Sequence, residues 1–227
     1  MQKNLKIVWE NFQNDILFRN SIYLMLTTAV MGGLGFIFWL ISTRIFTPEE
    51  IGLGSTMVSA MSLISLVSLF GLNSTLIRFL PTSKNRNGKI NTAFTIVTLT
   101  SIIFSTIYIY LIPNLSPKVI ELTNNKLYIL GFIAITVLSS INSLTDSVFI
   151  ALRSSQFSLI ANGFIVGVSK LFLPIFFSSL GAYGVFGSSG LAIGFGGISS
   201  VLILIYKFGY IPKFSLEKEI FKKIFEY

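Results

Sequence analysis

The chain has 227 residues, of which 52% are apolar and only 26 are charged. A soluble domain charges about a quarter of its residues and cannot hide so much apolar surface, and the composition is the opposite of a disordered chain. The sequence holds neither Cys nor His, which excludes disulfides, thiolate chemistry, the H-E-x-x-H metal site and the commonest acid–base group.

In chain order, residues 1–20 come first. They are a mixed polar segment in which Leu5, Val8, Phe12 and Ile16 fall near one helical face. Such a segment lies on the membrane surface or caps the bundle, and it is too long and polar to begin a cleaved signal. Six stretches then reach the roughly 20 apolar residues that a crossing helix needs: residues 21–43, 51–72, 90–112, 127–150, 157–180 and 183–206. The second has a rival boundary, since its pattern runs on through Ile77 before Pro81 stops it. Lipid requires internally bonded backbone, so the fold class is an all-α integral membrane bundle with six transmembrane helices over residues 21–206. Residues 207–227 are basic, and Ile220, Phe221, Ile224 and Phe225 recur among lysines, as in a segment held to anionic lipid.

Lys and Arg set the orientation. With the N-terminus in the cytoplasm, the inner segments hold 13 of the 17 basic residues and the outer loops hold Arg44, Lys118 and Lys126. Both termini are therefore expected to be cytoplasmic, in the plasma membrane. This bias accounts for the net charge of +8, so no nucleic acid partner is called for. Asn114-Leu115-Ser116 fits a glycosylation acceptor pattern, which is read as chance.

Charge at membrane depth marks function by default. Lys170 lies about 20 Å from the inner end of the fifth span, near the midplane, whereas Asp146 is only about 6 Å inside the end of the fourth. That offset argues against a direct pair and for Arg153, seven residues on, or Arg78 as the partner of Asp146. Gly163, Gly167, Lys170 and Pro174 share one face, and Lys170 should meet protein or a water-filled cavity. Polar stripes recur on three spans: Ser55, Ser59, Ser62 and Ser68; Asn91, Thr95, Thr98, Ser101 and Ser105; Ser139, Asn142, Ser143 and Asp146. Each is either helix–helix glue or cavity lining, and three stripes with two charges argue for a polar cavity. The sixth span is glycine-rich, which suits close packing of helices or a helix that bends. Its Gly187-Ser188-Ser189-Gly190 spells the G-x-S-G of intramembrane serine proteases, but with no His to take the serine proton it reads as a small-residue face. No phosphate-loop motif occurs. Neither enzyme activity nor a cofactor or metal is expected.

Two elements carry a resemblance. Thr43-Arg44-Ile45-Phe46-Thr47-Pro48-Glu49-Glu50-Ile51-Gly52 is similar to the first outer loop of prokaryotic polysaccharide flippases of the multidrug/oligosaccharidyl-lipid/polysaccharide exporter superfamily. Phe70-Gly71-Leu72-Asn73-Ser74-Thr75-Leu76-Ile77-Arg78-Phe79-Leu80-Pro81 resembles the end of their second helix. The resemblance implies one six-helix lobe of a two-lobed transporter, completed by a second lobe or a second copy. It implies transfer of a polyprenyl-phosphate or -pyrophosphate-linked oligosaccharide across the cytoplasmic membrane. Lys170 would then attract phosphate or acidic sugar, Asp146 and Asn142 would line the cavity, and Arg44 and Arg78 would stand at its two ends. The rivals are a multidrug or cation antiporter and a non-transport assembly partner. The antiporter is disfavoured because its cargo and coupling ions need buried acids, and Asp146 is the one acid within a span.

Overall fold

The computed structural model describes residues 15–115 and 125–215, the side chains of 112–115 apart. The expected helical faces at the two chain ends, other than Ile16, lie outside the described residues, as do Ser116 and Lys118. The described residues form helices and no strands. In chain order these are α1 (Ile16–Ile45), α2 (Pro48–Ser68), α3 (Leu72–Phe79), α4 (Arg86–Leu115) and α5 (Lys126–Ala151). α6 (Gln156–Phe176) and α7 (Ala182–Phe208) follow. Six of the seven are long and apolar enough to cross a membrane, so the chain is a multi-pass membrane protein.

The helix ends follow local chemistry that hydropathy does not report. α1 begins five residues before the apolar stretch because the Asp15 carboxylate accepts from Leu17 N at 2.8 Å and Phe18 N at 3.3 Å. α2 begins at a capping box: Thr47 N donates to Glu50 Oε2 at 2.8 Å, and Glu50 N to Thr47 Oγ1 at 3.4 Å, with Pro48 at the first helical position. The Thr-Pro-Glu-Glu string of the first motif is thus a tight reversal between two crossing helices.

The second helix does run on past Leu72, but not unbroken. It stops at Ser68, and Phe70 and Gly71 adopt left-handed backbone with φ of 44° and 74°. Gly71 takes that conformation at no steric cost, and α3 starts afresh at Leu72. The Ser68 carbonyl freed by the break accepts from Thr100 Oγ1 on α4 at 2.9 Å, which meets the requirement that backbone within a bilayer stay bonded.

α5 is the central helix, packed against α2, α3, α4 and α7. Its face toward α3, α4 and α7 is a core of Leu144, Val148 and Phe149 with Leu72, Leu76, Leu80, Val97 and Leu204. Toward the opposite end Phe132 stacks between Tyr108 and Phe186, at 5.5 and 5.4 Å. Ser101 Oγ donates to Ser140 Oγ at 2.8 Å, so part of the α4 stripe joins helices. α1 packs chiefly on α6 and touches α2 little, which leaves the bundle open between α1 and α2.

Glycines let α7 approach its neighbours. A Cβ at Gly190 would overlap Ile135, and one at Gly197 would lie 3.1 Å from the Leu138 carbonyl oxygen. The Gly187-to-Gly190 string is a turn of this helix, with Ser188, Ser189 and Gly190 buried. This is packing by small residues, as expected from the sequence.

Candidate functional site

Between α1, α2, α5 and α6 lies a cavity of about 500 Å³. Its polar lining comes from Ser62 and Ser65 on α2, Asn73 on α3, Ser139, Asn142, Ser143 and Asp146 on α5, and Asn162 on α6; Met31, Leu66, Leu69, Val166 and Ile193 supply its apolar walls. The cavity arises because two polar stripes face each other across a bundle whose α1–α2 side is open. Asn142 and Asp146 are four residues apart on α5, and Ser158 and Asn162 are four apart on α6, so each pair shares a face. The middle of α6 is a π-helix from Leu159–Val166, with Asn162 in its wide turn. Such turns are rare and concentrate at functional sites.

The carboxylate organises the cluster. Ser158 Oγ donates to Asp146 Oδ1 at 2.8 Å, and Asn162 Nδ2 lies 2.7 Å from both carboxylate oxygens. Asn162 in turn accepts from Asn142 Nδ2 at 2.8 Å. The other end of the Asn142 amide, Oδ1, is buried and has no hydrogen-bond partner among the described residues. The chain of bonds thus ties three cavity-lining residues, Asp146, Asn162 and Asn142, into one network.

The structure sorts the five residues singled out from the sequence. It brings Asp146 and Asn142 together in the cavity. It places Lys170 elsewhere: its amine stands over the Phe38 ring, 5.8 Å from the centroid, at the contact between α6 and α1. The face shared by Gly163, Gly167 and Lys170 packs on Val30, Leu34 and Phe38, spaced four apart on α1. Arg44 is exposed in the last turn of α1, where a cation suits the helix dipole. Arg78 is exposed in the last turn of α3, with its guanidinium 5.3 Å from the centroid of Phe79.

The expected partners of Asp146 are corrected. The carboxylate is held by Ser158 and Asn162, not by Arg153 or Arg78. The shared face assumed for Arg153 needs α5 to continue for seven residues, but α5 stops at Ala151. Arg153 then adopts a left-handed turn with φ of 52°, its N–H bonded to the Ile150 oxygen at 3.0 Å and Ser154 N to the Phe149 oxygen at 2.9 Å. That is a helix-ending turn that points the chain away. Asn162, Ser158 and Asn73 were missed as site residues. Their signal was the i, i+4 polar pair on the fifth span and the Asn within the second motif.

Among the described residues no three His, Cys, Asp or Glu side chains gather to hold a metal. No curated protein and no solved structure is significantly similar to the chain. A family model described as polysaccharide biosynthesis protein does match, over residues 17–227. That match covers all six crossing helices and every residue of the cavity, and it gives the chain a role in polysaccharide biosynthesis or export. By the span of that match, this chain belongs to the polysaccharide biosynthesis protein family.

Proposed function

We propose that the protein is a flippase that carries a polyprenyl-phosphate- or pyrophosphate-linked oligosaccharide across the cytoplasmic membrane. The observation that carries this reading is the cavity anchored by Asp146, Asn162 and Asn142, with serine hydroxyls on its other walls. Sugars present many hydroxyl groups, and neutral amide and hydroxyl side chains match them with few charges. The opening between α1 and α2 leaves room for the head group to enter while the polyprenyl tail stays in lipid. A second lobe or a second copy of the chain would close that side, and rocking of the two would alternate access. The basic end, where Lys84, Arg86, Lys89, Lys207 and Lys213 gather, faces the cytoplasm on the positive-inside rule.

The test uses everted membrane vesicles from cells that express the protein, supplied with a polyprenyl-pyrophosphate-linked oligosaccharide. The amount of sugar that becomes protected from an added glycosidase reports crossing. Protection should rise several-fold over vesicles without the protein, and equal protection contradicts the proposal. The same assay separates two roles for Lys170. Lys170→Ala that loses crossing at a normal protein level assigns the amine to substrate. A reduced protein level with crossing per molecule retained assigns it to the α1–α6 contact, the result that its place over Phe38 favours, since a desolvated cation–π contact is worth about 2 kcal/mol.

A further inference from the structure

A second groove lies on the far side of α5. α4 and α7 both pack on α5, and between them runs a cavity of about 430 Å³ floored by Ile141, with Phe94, Thr95 and Thr98 on one wall and Val201 on the other. From Asn91 to Thr98 it follows α4 for about 10 Å, at 1.5 Å per residue. The segment after α7 closes its basic end. That segment does not drift away: Asn91, itself buried, accepts from Tyr210 Oη at 2.6 Å and Lys213 N at 3.0 Å, and donates to the Ile211 oxygen at 3.0 Å. The Tyr210 ring meets Phe94 edge-on at 5.7 Å. Burial pushes the Tyr210 hydroxyl up to about 12, so it remains a donor across the physiological range. The clasp fixes Lys213 at the groove mouth with its side chain exposed, beside Ile211 at 56% and Phe214 at 87% exposure.

Among the described residues the charge around the mouth has one sign. Lys207, in the last turn of α7, and Lys84 and Arg86, at the start of α4, are exposed at the same end. The described acids are Asp15, Glu49, Glu50 and Asp146, and none lines the groove. A largely apolar groove about 10 Å long between two crossing helices, capped by a fixed lysine among exposed apolar side chains, matches a molecule with an anionic head and a hydrocarbon tail. We propose that this groove binds one anionic phospholipid of the surrounding bilayer, with an acyl chain between α4 and α7 and its phosphate on Lys213.

Native mass spectrometry of the purified full chain, titrated with palmitoyl-oleoyl phosphatidylglycerol or with the phosphatidylcholine of the same chains, tests this. One phosphatidylglycerol should be retained about tenfold better than phosphatidylcholine. Lys213→Gln, at an exposed site that does not threaten folding, should bring the two lipids to parity, and Thr98→Trp should remove the adduct by filling the groove. Equal retention of the two lipids by the parent chain overturns the proposal, as does a preference that survives Lys213→Gln. So does an adduct that survives in a Thr98→Trp chain with an unchanged melting temperature.

Discussion

A Gly184→Ala chain should accumulate in the membrane at a small fraction of the parent level, whereas Gly187→Ala, one turn along the same helix, should accumulate at least as well as the parent. A Cβ at Gly184 would overlap the Phe177 carbonyl oxygen and lie 2.9 Å from Phe46 Cε1. Neither neighbour yields easily. The Phe177 oxygen already accepts from Leu180 N at 3.1 Å in the turn between α6 and α7, and Phe46 is buried at 4% exposure with Phe38 and Val185. Overpacking of this kind costs about 1–3 kcal/mol, and a rigid carbonyl as the obstacle puts Gly184 at the upper end. At Gly187 nothing stands within 4 Å of an added Cβ, and Ala is the better helix former by about 1 kcal/mol. Quantitative immunoblotting of membranes, with melting of the solubilised protein, reads both. Equal levels for the two variants would show that α7 does not pack as described.

Asp146→Leu should reduce surface polysaccharide at least tenfold when placed in the chromosomal copy. The carboxylate accepts from Ser158 and twice from Asn162. Leucine strands those donors, at about 1–3 kcal/mol for each group left unpaired, less where cavity water can reach them. The larger consequence is positional. Asn162 is held by Asp146 and itself orients Asn142, so removing the carboxylate releases both asparagines together. Asp146→Asn should fall between parent and leucine variant: it keeps the shape, but an amide nitrogen would face the Asn162 amide donor. Protein level must be measured beside the polysaccharide. Normal export from Asp146→Leu at a normal level would remove the cluster from the function.

Only part of what fixes α7 and the Asp146 cluster was legible in the sequence. The six crossings were, because length and apolarity alone decide whether a helix fits a bilayer. The start of α1 at Ile16 and the end of α5 at Ala151 were not, because they are set by the Asp15 cap and the left-handed turn at Arg153. The break at Phe70 and Gly71 interrupts a sequence whose apolar pattern continues smoothly. It stands because Thr100, 32 residues on, bonds the exposed carbonyl. At the site, the spacing of Asn142 and Asp146 gave the face but not its partner. Pairing opposite charges favoured Arg153 or Arg78, whereas the carboxylate is satisfied by neutral donors from α6. Likewise Gly163, Gly167 and Lys170 share a face as read, but a single sequence does not say that the face meets α1. The packing of α7 was legible as small-residue spacing, without the distinction between Gly184 and Gly187.

The central claim is that the Asp146 cavity is open to water and takes the oligosaccharide head group. The chain has no Cys, so single cysteines can be placed without background. Ser143→Cys on the cavity wall and Ser140→Cys, buried beside Ser101, make the contrast. A membrane-impermeant maleimide should label Ser143→Cys and leave Ser140→Cys unmodified, and the lipid-linked oligosaccharide should slow the labelling of Ser143→Cys. If Ser143→Cys stays as unreactive as Ser140→Cys, or if its labelling is indifferent to the oligosaccharide, the cavity is not the transport site.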